Sequence, residues 1–84
     1  MNLQQFKESI LMGHEIEMTI CGIPVFIGCA QSGTPQSIPH TVYNEMTQEL
    51  LCFPSRDDLW NSYRFHGKSL EQLWVNDIEI KSIF

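Results

Sequence analysis

The chain has 84 residues, 43% of them hydrophobic, with two Trp, two Tyr and five Phe. That is ample for one packed domain over residues 1–84, although so short a chain buries a small share of its surface and gains from a metal, a disulfide or a partner. Ten acidic against five basic residues give a net charge of −5, which argues against nucleic-acid binding and suits a basic protein partner, while serving solubility equally well. Three cysteines are an odd number; Met1 is followed by polar Asn2 and Gln4, and no apolar run approaches the roughly 18 residues of a membrane span. Together these predict a reducing, cytoplasmic setting with neither signal peptide nor anchor.

In chain order, Leu3, Phe6, Ile10 and Leu11 recur at helical spacing and Gly13 follows as a stop, predicting a helix over 2–12. The period then changes to two. From His14 to Ile20 the apolar residues Ile16, Met18 and Ile20 alternate with Glu15, Glu17 and Thr19, the pattern of a half-buried strand. Cys21-Gly22 forms a tight turn in which Gly22 takes positive φ, and Ile23 to Ala30 returns as the second strand. A two-residue turn sets Ile20 opposite Ile23, Met18 opposite Val25, Ile16 opposite Ile27 and His14 opposite Cys29. Pro24 predicts an edge or a bulge in that strand.

Residues 31–39 read as a loop. His40–Tyr43 and Glu49–Cys52 then form a second hairpin, with Val42 opposite Leu50 and His40 opposite Cys52. Ser55 caps a helix with Asp57 and Asp58 in its first turn, Gly67 closes that region, and Ser69 with Gln72 makes a capping box for a short helix holding Leu70, Leu73 and Trp74. Ile78-Glu79-Ile80 is a closing strand. The expected class is α+β: an N-terminal helix, an antiparallel sheet of three to five strands, two C-terminal helices and a closing strand.

In these registers His14 and Cys29 lie side by side, as do His40 and Cys52, and both pairs abut the 31–39 loop. Two Cys and two His suit a closed tetrahedral zinc site, which would staple so small a domain. The spacing matches no standard zinc finger, and the plainer reading keeps His14, Cys29 and Cys52 at the core edge and His40 in a loop. Cys21 and His66 are reserve ligands. Enzyme chemistry has little to stand on: Asp57 and Asp58 are explained by capping, and Gly28, Gly33 and Gly67 are isolated and make no phosphate loop. Trp60, Tyr63, Phe65 and Trp74 serve either the core or an interface.

The run from Cys52-Phe53-Pro54-Ser55-Arg56-Asp57-Asp58-Leu59 through Phe65-His66-Gly67-Lys68-Ser69-Leu70-Glu71-Gln72-Leu73-Trp74 to Asp77-Ile78-Glu79-Ile80 resembles a pattern in small acidic proteins of Gram-positive bacteria and their phages. In size and acidity the chain is similar to the anti-CRISPR inhibitors of type II RNA-guided nucleases such as Cas9. That resemblance implies a non-catalytic, phage-type inhibitor acting in the host cytoplasm by binding a basic protein surface, with Asp57, Asp58, Glu71 and Glu79 as partner-facing charges. The alternative is a small homo-oligomeric structural or regulatory domain that buries Trp60, Tyr63 and Trp74 against a second copy.

Overall fold

The computed structural model describes residues 1–29 and 40–84; the loop expected at 31–39 lies outside them. The first helix, α1, spans Leu3–Leu11. Asn2 accepts the Gln5 N–H and the Gln5 side chain reaches back to the Asn2 N–H, so a capping box satisfies two of the free donors at the helix start. At the other end Gly13, at φ 88°, lets Gly13 N–H reach the Ile10 carbonyl and His14 N–H reach the Ser9 carbonyl, the paired bonds that close a helix through a left-handed residue.

β1 (Ile16–Ile20), β2 (Ile23–Cys29), β3 (His40–Asn44) and β4 (Glu49–Phe53) follow, then α2 (Arg56–Ser62), α3 (Leu70–Trp74) and β5 (Ile78–Ile83). The strands form one antiparallel sheet in the order β4-β3-β2-β1-β5, so the closing strand returns beside the first. This is the expected α+β class, with five strands. Ser55 accepts the Asp58 N–H to start α2, and the Ser69/Gln72 box starts α3.

The first hairpin has the predicted register at Ile20 opposite Ile23, Met18 opposite Val25 and Ile16 opposite Ile27, but its ladder ends there, so the expected pairing of His14 with Cys29 does not form. Cys21 and Gly22 both take positive φ, 52° and 79°, the turn type whose twist matches a hairpin. Asn tolerates that conformation better than Cys, so Cys21→Asn is expected to stabilise the fold by about 0.5 kcal/mol, read as a higher denaturation midpoint at unchanged slope. Pro24 does not mark an edge. β2 is central, but β3 begins pairing only at Val25, and Pro24 contributes just its carbonyl, which accepts the Glu45 N–H; no donor is missed at that position.

The second hairpin differs from expectation by one residue. Val42 stands opposite Leu51, His40 opposite Phe53 and Thr41 opposite Cys52. Asn44 is the cause: it stays in the ladder opposite Glu49 while its side chain accepts the N–H groups of Met46 and Thr47, and Gln48 takes positive φ (61°) to close the loop. A one-residue slip moves every side chain of β4 to the other face. His40 and Cys52 therefore do not share a face.

Ile16, Met18, Ile20, Val25, Ile27 and Val42 point to one face of the sheet and are buried with Phe6, Ile10, Leu59, Leu70 and Leu73 from the helices. Trp60 and Tyr63 are buried as well. The Phe6 ring stacks on Trp74 (4.6 Å between centroids) and meets Trp60 edge-on at 5.9 Å. These aromatics close the core, with Trp60 and Tyr63 covered within one chain and Trp74 half-buried.

Candidate functional site

All three helices bury their apolar residues in the same cluster as one face of the sheet, and no described helix covers the other. The ladders line up a row across all five strands of that second face: Ser82 on β5, Glu17 on β1, Phe26 on β2, Tyr43 on β3 and Leu50 on β4. Directly opposed side chains in a sheet lie roughly 5 Å apart, so Phe26, Tyr43 and Leu50 form a continuous apolar strip with Glu17 at its acidic end. Leu50 is 56% exposed. Phe26 also lies along its own strand over Gly28, where an added Cβ would sit 2.6 Å from the ring. Gly28 thus provides the floor for that ring.

Beside the strip, Glu17, Thr19, Pro24, Glu45 and Lys81 surround a depression of about 240 Å³. Lys81 is paired with Glu79 at 3.0 Å. The face therefore combines an aromatic and aliphatic centre with a mainly acidic flank. The alternation of β1 and β2 hints at it, because Val25-Phe26-Ile27 is apolar on both faces of the strand, a pattern easily taken for a buried one.

The four acidic residues singled out from sequence are all exposed but do not share one surface. Asp57 and Asp58 lie in the first turn of α2 and Glu71 in that of α3. Glu79, opposite Thr19, is on the sheet face that no described helix covers.

At the opposite end of the sheet from the Cys21-Gly22 turn lies a polar cluster that sequence reading missed. Arg56, 6% exposed, donates through Nε to His40 Nδ1 at 2.9 Å and through its terminal nitrogens to the carbonyls of His14 (3.4 Å) and Gly13 (3.3 Å). One guanidinium thereby ties α2 to the end of α1 and the start of β3. The available signal was a cation at the first position of a helix, where the dipole favours anions.

Of the predicted metal ligands, this end brings His40 beside the backbone of Cys29, its ladder partner, with the His14 carbonyl on the same arginine. Cys52 faces away, exposed. Among the described residues no group of three or more His, Cys, Asp or Glu is close enough to hold a metal, and the charge lodged against His40 is the fixed cation of Arg56.

Desolvation, then the Arg56 charge, lowers the His40 pKa below its usual 6.5. A depressed folded value means that the unfolded chain takes up a proton first. Stability is therefore full above about 6.5 and falls as pH drops toward and through the folded value. Denaturation midpoints measured from pH 7.5 downward should show this loss, and His40→Gln should flatten it.

A smaller cavity, about 180 Å³, lies beside β4 and is lined by Val42, Glu49, Leu51, Tyr63, Phe65 and His66 among others. Burial, then the Glu49 charge, pushes the Tyr63 phenol up to about 12. His66 and Gly67 there form a second turn with both φ positive, 51° and 80°.

A scan against protein-family models finds no match to this chain, and neither does a search of curated proteins or of solved structures.

Proposed function

We propose that this protein is a small binding domain that acts stoichiometrically on another protein, without chemistry of its own, through the sheet face that no described helix covers. The observation that carries this reading is the Phe26-Tyr43-Leu50 strip with Glu17 at its end. Aromatic residues at the centre of a patch and charge at its border are the anatomy of protein interfaces. A net charge of −5 favours a basic partner and speeds its capture. Within this reading, the anti-CRISPR resemblance names the partner to try first, a type II RNA-guided nuclease.

The test titrates the protein into a purified nuclease of that class and follows complex formation and DNA cleavage. A 1:1 complex is expected, weakened by roughly tenfold or more in Phe26→Ala or Tyr43→Ala, and weakened in a salt-dependent way by Glu17→Lys and Glu79→Lys. Glu71→Lys, on the helical side, should matter less. No complex would remove the nuclease; a complex indifferent to Phe26 and Tyr43 would remove the sheet face.

A further inference from the structure

The two edges of the sheet are built differently. β5 carries the Glu79–Lys81 pair and a register shift against β1 between Glu17 and Met18. Edge charges and bulges of this kind discourage other strands from joining a sheet. β4 is less guarded: Glu49-Leu50-Leu51-Cys52-Phe53 has its one charge at its first residue, contains no Lys and no Pro, pairs with β3 in unbroken register, and is outermost, with no described strand on its far side. Both ends of this edge are acidic. Glu49 stands at its start and Asp57 and Asp58 just beyond its end, all exposed. Arg64, which shares the small cavity with Glu49, is turned onto the carbonyls of Asn61 and Tyr63.

We propose that β4 is a docking edge for an extended segment of a basic partner protein, which joins the sheet as a sixth strand with apolar residues at its centre and Lys or Arg at both ends. This rests on the protein-binding reading above and gives it a geometry. Main-chain hydrogen bonds supply affinity in such strand addition, and alternate side chains supply selectivity. On one face the added strand extends the strip that ends at Leu50. On the other it passes the cavity beside Leu51, where the stem of a long side chain finds Tyr63 and Phe65 and a cationic head finds Glu49. A second copy of this chain is the wrong occupant. Antiparallel pairing of β4 with itself sets the Glu49 end of one strand against the Asp57-Asp58 end of the other, acid on acid.

The test uses the full chain, isotope-labelled for NMR, and four synthetic peptides. The first is Lys-Lys-Val-Thr-Val-Thr-Val-Lys-Lys, and the second has Glu in place of every Lys. The other two are the Lys-ended peptide N-methylated at alternate central residues, each blocking the donors along one of its edges. The Lys-ended peptide should shift the backbone amides of Glu49–Phe53, bind at least about tenfold more tightly than the Glu-ended one, and lose binding under one N-methylation pattern but not the other. Leu50→Lys, an exposed position, should weaken binding about tenfold with an unchanged circular dichroism spectrum.

Absence of shifts along β4, equal binding of both N-methylated peptides, or β4 shifts that follow self-association on concentrating the protein alone would each overturn the proposal. Shifts confined to Glu17, Phe26 and Tyr43 would overturn the edge while leaving the sheet face as the binding surface. Edge binding that persists in Phe26→Ala and Tyr43→Ala, with nuclease binding also unaffected, would instead sink the face and keep the edge.

Discussion

Replacing Phe6 with alanine is expected to cost about 4 kcal/mol of stability, the middle of the range for a buried aromatic ring. Phe6 is fully buried, lies flat on Trp74 and meets the edge of Trp60. One ring thereby joins α1 to both later helices. α3, Leu70–Trp74, has five residues, far fewer than a helix needs to persist in isolation, so it depends on this packing. The loss combines transferred area, an unfilled cavity and the favourable geometry of two aromatic pairs. A domain of this size has roughly 5–10 kcal/mol to lose, and each kcal/mol lowers the melting temperature by about 4–8 °C; the variant should therefore melt roughly 20 °C lower. Both tryptophans touch Phe6, so their fluorescence during urea unfolding reports the change directly. A loss no larger than that of exposed Gln4→Ala would show that the cluster does not anchor the helices.

Arg56→Met is expected to cost about 3 kcal/mol, because it removes the donor to His40 and to two carbonyls while leaving those acceptors partly buried. Lysine keeps the charge but lacks the planar fork that reaches three acceptors at once, so Arg56→Lys should recover less than half of the loss. The double variant Arg56→Met with His40→Leu separates the pair from the rest of the network. If His40 is the main dependent, the double loss will be clearly smaller than the sum of the single ones. Strict additivity would place the value of Arg56 in its bonds to Gly13 and His14.

The first hairpin was legible because three constraints agreed: alternation in Ile16–Ile20, the two-residue Cys21-Gly22 turn, and apolar residues falling together on one face. The second hairpin offered fewer. Asn44 could belong to the turn or to the ladder, and it does both, which shifted β4 by one residue and separated Cys52 from His40. Capping residues Ser55 and Ser69 were readable because their chemistry is local. Arg56 was not, since its acceptors lie some forty residues away at Gly13 and His14. The sheet-face strip went unnoticed for a similar reason: Phe26, Tyr43 and Leu50 become neighbours only once three strands are in register.

The position of β5 beside β1 sets the order in which this chain can be built. Until β5 has been synthesised, β1 has β2 on one side and no described strand on the other, and before α3 is made Phe6 lacks the Trp74 ring that covers it. The sheet closes only when Ile78–Ile83 has emerged and Phe84 N–H has reached the Glu15 carbonyl. The β1–β5 pairing thus joins segments about sixty residues apart in sequence, with the long loop closure that slows such topologies. Until then the nascent protein exposes an open strand edge at β1, the interval in which chaperones or proteases would find it.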